Sequence, residues 1–268
     1  MAGSSCGDIE TTDVTSPADL PNFEGPAFYA RPRLLRNSGL RDWWILLHPP
    51  YTLCHLSFVV VGACLAGPVN SFRLWMTVLA FFLAVGVGSH ALDEIQGRPL
   101  GTEIPTWQLK AAAMFGLGGA VVLGVFGALE TSGYLGIFIV VGIVLALGYN
   151  LELFHARLHT DLVFALAWGS FPVLTGYFAQ HSALNLAAFI AALYGALVAG
   201  TQRQLSTPAR NLRRHVSHVE GAQVGIDGSS VVITKEGQLQ PLENALRTLC
   251  WAAAAIAASL VSVRYHVL

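Results

Sequence analysis

Long stretches without a single charged side chain dominate this chain. No Asp, Glu, Lys or Arg occurs in 43–72, 74–92, 111–129, 131–151, 162–202 or 248–263. A helix needs about 20 apolar residues to cross a bilayer core of roughly 30 Å. Four of the runs fit one crossing each. The run 162–202 fits two, with a polar break at Gln180-His181-Ser182. The last run is short, but Arg247 and Arg264 at its ends can snorkel to the interface. The pattern therefore predicts seven spans, near 51–67, 73–92, 109–129, 132–149, 161–180, 183–202 and 246–264. No polar face recurs along these runs, which argues against a soluble helical bundle.

Charge then supplies an orientation. With seven spans and the N-terminus inside, thirteen of the fifteen Lys and Arg residues fall on the inner side. Only Arg73 and Arg264 fall outside. Basic residues collect on the cytoplasmic side, so the N-terminus is expected there and the C-terminus opposite. Composition agrees: 54% of residues are hydrophobic and 12% charged, against roughly 25% charged in a soluble domain. The net charge of −1 points to no nucleic-acid partner. Residues 1–30 carry Asp8, Glu10, Asp13, Asp19 and Glu24 and lack the basic start and apolar core of a signal peptide. A disordered tail is expected over 1–40, followed by one membrane domain over 41–268. Cys6, Cys54, Cys64 and Cys250 show no metal or redox spacing and read as small apolar fillers.

The outer connections are short and hold little chemistry. The inner ones, Asp93–Lys110, Asn150–Asp161 and Arg203–Leu242, hold nearly all of it. Ionisable groups at helix ends are costly unless used, so a site facing the cytoplasm is expected. The segment 203–242 sits before the last helix. Within it, Asp227-Gly228 between β-branched runs predicts a β-hairpin, expected to lie against the helices or the membrane surface. Gly86 and Gly88 in the second span, and Gly116, Gly118, Gly119, Gly124 and Gly127 in the third, are a packing signal.

Three clusters could carry chemistry. The first is Ser89-His90-Ala91-Leu92-Asp93-Glu94, with Arg98 beyond it. On a continuing helix His90 faces Asp93 and Glu94 at i+3 and i+4, a set suited to Mg²⁺ or Mn²⁺ with a phosphate. Arg98 would meet a phosphate oxygen. The second runs from Tyr149 and Asn150 to Glu152, His155, Arg157, His159 and Asp161. Glu152, His155 and His159 have spacing seen in bundle metal sites, which would take Fe, Mn or Zn. The third is Gln202-Arg203 to Arg210, then Arg213 and Arg214. These arginines suit a diphosphate or anionic headgroups.

The order of these motifs resembles the UbiA superfamily of intramembrane prenyltransferases. Trp44 to Thr52, followed by Gly62-Ala63, looks like that family's first helix, with His48 where an Arg is usual. Asp93, then Arg98-Pro99-Leu100, looks like its first aspartate motif. Tyr149, Trp168-Gly169, Pro172 and Gly176-Tyr177 look like its fourth and fifth helices. The resemblance covers roughly residues 41–215. It implies Mg²⁺ at Asp93, and an isoprenoid diphosphate held by Arg98, Tyr149 and Arg203. Two departures stand out. Ser89-His90 and Gly97 replace acidic-motif positions, and no Asp or Glu lies between Asp161 and Glu220, where the second acidic motif belongs.

The expectation is an all-α, polytopic transmembrane bundle with a small cytoplasmic hairpin, embedded in the lipid bilayer of a prokaryotic plasma membrane. Its expected function is Mg²⁺-assisted prenyl transfer from an isoprenoid diphosphate, with Asp93 and Glu94 catalytic and His90, Asp93 and Glu94 as metal ligands. Arg98, Tyr149, Asn150, Arg157, Arg203 and Arg210 would bind substrate. The alternatives are a metal-dependent enzyme acting on a lipid, and a scaffold binding another phosphorylated lipid without turnover.

Overall fold

The computed structural model describes residues 37–151 and 160–265. The expected tail therefore lies almost wholly outside the described residues, as do Glu152, His155, Arg157 and His159.

Helix boundaries follow from capping chemistry. Asn37, Asn70, Thr160 and Asn185 each open a helix, and each side chain accepts the backbone N–H three residues on. The resulting elements are α1 Ser38–Leu47, α2 Pro49–Leu65, α3 Ser71–Ile95, α4 Thr106–Glu130, α5 Leu135–Asn150, α6 Asp161–His181, α7 Leu186–His215 and α8 Lys235–Tyr265. Between α7 and α8 lie the strands β1 Ala222–Val224 and β2 Ser230–Val232. Among the described residues six helical stretches are long and apolar enough to cross a membrane. Four are α3, α4, α6 and α7, the fifth is α8, and the sixth joins α1 to α2. The α5 helix has 16 residues, about 24 Å at 1.5 Å per residue, which is short of a full crossing.

The junction of α1 and α2 breaks at His48. Pro49 and Pro50 lack the N–H groups needed to continue α1, yet they suit the first turn of a new helix. His48 absorbs the change in direction with φ 45° and ψ 59°, and its N–H donates back to Trp44 and Ile45. This corner turns the His48 ring toward the bundle.

α2 and α6 form the centre. Of the apolar stretch of α6, 72% is buried, against 11% for α4, whose Met114, Phe115 and Leu129 face outward. α2 packs against α6 and α8, α6 against α7, and α3 against α4. Backbones touch where glycine leaves room. A Cβ on Gly62 would strike the Val173 carbonyl, one on Gly176 the Val59 carbonyl, and one on Gly116 the Gly88 amide. The α2–α6 contacts lie outside the two glycine-rich helices that the sequence singles out, whereas Gly116 and Gly88 lie within them. Cys54, Cys64 and Cys250 are buried free thiols, as fillers would be.

Two helices contain wide, π-type turns: Phe82–Ser89 in α3 and Leu166–Ser170 in α6. Such turns shift the following side chains around the axis and often mark functional sites.

The hairpin forms at the expected place, with Ala222 opposite Val232 and Val224 opposite Ser230. Both strands are exposed along their length, so among the described residues the helices do not bury them. The Asp227 carboxylate shapes the turn by accepting the N–H and O–H of Ser229. Those bonds hold its pKa below the ordinary aspartate value of 3.8.

Candidate functional site

Five helices line one cavity at the same end of the bundle. On α7 the residues recur every three or four positions: Gln202 and Arg203, Ser206, Arg210, then Arg213 and Arg214. That spacing keeps them on one face. α3 contributes Val85, Ser89, His90 and Asp93, and α5 contributes Tyr149 and Asn150. His48 and Tyr51 come from the start of α2, and Phe164 and Trp168 from α6. Pro99 and Leu100, in the loop after α3, complete the wall. The cavity measures about 190 Å³.

The four arginines are held differently. Arg203 donates to Asp161 at 3.0 Å and lies over the Phe164 ring at 5.2 Å. Arg213 pairs with Glu243 of α8 at 3.2 Å, and both side chains are buried. Arg214 donates to the Pro99 carbonyl at 2.7 Å, tying α7 to the loop after α3. Among the described residues Arg210 forms no ion pair or hydrogen bond, yet it lines the cavity. An unmatched cation in a half-buried cavity attracts anions, and guanidinium suits phosphate oxygens.

Rings line the floor. Tyr51 lies 5.6 Å from His48 and 5.8 Å from His90. Tyr149 meets Trp168 edge-on at 5.9 Å. The Nδ1 of His90 lies 3.3 Å from the Gly86 carbonyl. Asn150 donates to the Ala146 carbonyl at 2.8 Å.

A second cavity, about 260 Å³ and almost wholly apolar, runs between α3, α4, α5 and α6. Val85, Ser89 and Trp168 border both cavities. An arginine-lined chamber and an apolar groove thus share a wall at these three residues.

The sequence-expected residues separate into three groups. The cavity collects His90, Asp93, Tyr149, Asn150, Arg203 and Arg210. Glu94 and Arg98 stand elsewhere. Glu94 is fully buried, and its carboxylate accepts the N–H of Leu100 at 2.9 Å, the N–H of Thr102 at 2.9 Å and the Thr102 hydroxyl at 2.8 Å. Three bonds from the following loop replace its water, which makes it a loop organiser rather than a cavity ligand. Arg98 has φ 55°, and its guanidinium donates to the carbonyls of Thr102 and Ile104 and to Thr106 Oγ1. It tethers the same loop to α4. Glu152, His155, Arg157 and His159 are outside the described residues.

Among the described residues no three His, Cys, Asp or Glu side chains group to hold a metal ion. Among the described residues Asp93 is the one carboxylate bordering the cavity. One carboxylate with phosphate oxygens and water is a sufficient shell for a single Mg²⁺, so the donor set among the described residues fits one such ion.

Sequence reasoning passed over Tyr51, Ser89, Phe164 and Ser206 as site residues. It treated His48 only as a departure from the family pattern, and left Arg213 and Arg214 open between a diphosphate and lipid headgroups. The usable signal was the polar stripe from 202 to 214, which continues at helical spacing past the end of the apolar run. No family model, curated protein or solved structure matches the chain.

Proposed function

We propose that this chain is a membrane prenyltransferase whose substrate is an isoprenoid diphosphate. The diphosphate would lie among Arg203, Arg210 and Arg214, and the isoprenoid chain in the apolar groove. The observation that carries this reading is the shared border of the two cavities at Val85, Ser89 and Trp168. A water-soluble phosphate would need only the arginine chamber, and a plain hydrocarbon only the groove. An amphiphile with an anionic head uses both. The motif order noted in the sequence favours an isoprenoid diphosphate over other phosphorylated lipids.

In the reaction, the bond between C1 of the isoprenoid and the diphosphate oxygen breaks, and its electron pair leaves on the diphosphate. An acceptor electron pair forms the new bond to C1, and the acceptor proton passes to the released diphosphate. Arg210 and Arg214 stabilise the charge that grows on the leaving group. Mg²⁺, when held by Asp93 and phosphate oxygens, supplies further positive charge there. The rings of Tyr149 and Trp168 border the place where C1 falls and stabilise its developing cation. The chamber faces the cytoplasm in this reading, since the basic residues concentrate on that side. Cysteine placed at Gly228 should react with an impermeant maleimide only from the cytoplasmic side.

The test is pyrophosphate release by protein in lipid nanodiscs from geranyl, farnesyl and geranylgeranyl diphosphates, with a native lipid extract supplying acceptors and with Mg²⁺ or with EDTA. Release is expected with Mg²⁺ and should fall by about 100-fold or more in Arg210→Ala, as when one transition-state donor is removed. Asp93→Asn should lose the Mg²⁺ dependence. Absence of release with every chain length would overturn the reading, and full activity in Asp93→Asn would remove Asp93 from the metal.

A further inference from the structure

We propose that Cys54 of α2 and Cys250 of α8 form a reversible disulfide at membrane depth, with a lipid-soluble quinone as the oxidant. This site does not depend on the substrate assigned above. The two residues are far apart in sequence, yet both belong to one buried cluster with Phe58, Trp168 and Ala253. Cys54 is 2% exposed and Cys250 4% exposed, and a side-chain hydrogen bond joins their thiols.

The pattern of α8 brings the thiols together. Its buried residues Leu239, Glu243, Leu246, Cys250, Ala253 and Ala257 recur at alternating steps of four and three, which places them in one seam. α8 packs against α2 and α7. Cys250, Ala253 and Ala257 are the small members of the seam, and small side chains let helix backbones approach closely within a membrane. A disulfide needs its Cα atoms within roughly 7 Å of each other, so close packing of this kind is what it requires. Cys64 supplies a contrast. It lies on α2 and is fully buried, but its neighbour from α8 is Arg264, whose Nε donates to the Cys64 carbonyl at 2.6 Å.

The surroundings select the chemistry. Both cysteines fall within helical stretches long and apolar enough to cross a membrane. A pair of thiolates there would carry a heavy desolvation cost, whereas a disulfide is neutral and costs no buried charge. Oxidation forms the S–S bond and breaks both S–H bonds. The two electrons and two protons pass to the quinone, whose two carbonyls become the hydroxyls of a hydroquinone. Each proton leaves with its electron, so no charge is stranded among the helices. The oxidant has to arrive through lipid, and α8 is the helix that admits it. Only 22% of its apolar stretch is buried, and Trp251, next to Cys250, is 63% exposed. A small outward movement of α8 therefore brings Cys250 to molecules dissolved in the bilayer. Glu243 stands two turns before Cys250 on the same seam and pairs with Arg213 of the chamber wall. The disulfide would hold that seam closed, so the redox state of the membrane bears on the arginine chamber.

The test exploits the lysines. Lys110 and Lys235 are the only two in the chain, so endoproteinase Lys-C yields fragments 1–110, 111–235 and 236–268. Cys54 falls in the first and Cys250 in the third. The full chain in lipid nanodiscs is reduced, exposed to decylubiquinone or to the thiol oxidant diamide, blocked with N-ethylmaleimide, unfolded and digested. After either oxidant the third fragment is expected to stay joined to the first, with a mass two hydrogens below their sum, and to separate on reduction. With decylubiquinone, one hydroquinone should appear per chain joined. Cys54→Ala and Cys250→Ala should each lose the join and the hydroquinone, while Cys6→Ala and Cys64→Ala keep both. Followed by tryptophan fluorescence, the oxidised wild type should melt on the order of 10 °C above the reduced form. Fragments that separate after both oxidants would overturn the disulfide, as would a join that survives Cys54→Ala. A join made by diamide but never by the quinone would overturn the quinone as oxidant. Equal melting of the two forms would overturn the clamping of α8.

Discussion

Glu243→Ala tests the pairing of Arg213 with Glu243, which joins the arginine chamber to the stability of the bundle. The side chains are 8% and 2% exposed, and the Nε–Oε1 distance is 3.2 Å. Ala209, Leu239 and Leu246 pack beside the pair and seal the ends of α7 and α8 together. At about 4 Å and an effective dielectric near 20, the attraction is about 4 kcal/mol. Desolvation of both charges offsets most of that gain. Removing one partner is a different matter, because the other charge stays buried without compensation. The cost of such a break is about 3–5 kcal/mol. Glu243→Ala should therefore lower the melting temperature by on the order of 10 °C for a chain of this size. Replacing both residues, by Arg213→Met with Glu243→Leu, should recover most of that loss. Melting can be followed in detergent by a thiol-reactive dye, because Cys54 and Cys250 are buried until the core opens. A Glu243→Ala variant melting within about 2 °C of the wild type would refute the reasoning. So would a double variant that melts as low as the single one.

Three further predictions follow from packing and hydrogen bonding. Glu94→Ala strands the N–H groups of Leu100 and Thr102, so proteolysis within 96–105 should quicken and stability should fall by about 3 kcal/mol; cleavage at the wild-type rate would remove its role as loop organiser. Gly62→Ala drives a methyl group into the Val173 backbone and should cost about 1–3 kcal/mol in the same dye assay, with an unchanged melt arguing against close α2–α6 contact. The folded pKa of Asp227 is depressed, so its turn contributes stability above the unfolded value of 3.8 and loses it as pH falls through the folded value. Ser229→Ala should raise the Asp227 pKa in a carboxyl titration by NMR, and an unmoved titration would exclude the Ser229 bonds as the cause.

Much of the architecture is written in local pattern. Charge-free runs of membrane length place α2, α3, α4, α6, α7 and α8 within a few residues at most ends, because a bilayer tolerates few other arrangements of backbone. The largest shifts are at the inner ends of α7 and α8, which extend to His215 and back to Lys235. There the helices leave the apolar stretch but continue on their own hydrogen bonds and on the Ala209, Leu239 and Leu246 contacts. The Asp227-Gly228 turn is equally local, since its dihedral needs and the Asp227 side-chain bonds lie within a few residues.

The candidate site was legible only in part. Asp93, His90, Tyr149, Asn150, Arg203 and Arg210 could be named because ionisable and amide groups at the ends of apolar runs are conspicuous. Glu94 and Arg98 were named for the same reason, and they turned to the loop instead. Nothing at i+1 from Asp93 announces that Leu100 and Thr102 will present their N–H groups to Glu94.

Residue order and hydrophobic pattern alone established the helical membrane class, the helices and their approximate ends, and the hairpin. These are short-range consequences of chain chemistry in water and lipid. The tertiary structure decided which polar groups share a cavity, where the apolar groove meets the chamber, and, among the described residues, which arginine and which serine hydroxyl are left without a partner. Each of those depends on the rotation of one helix against another. The proline corner at His48 and the wide turns ending at Ser89 and Ser170 alter that rotation by amounts that no periodicity in the sequence records.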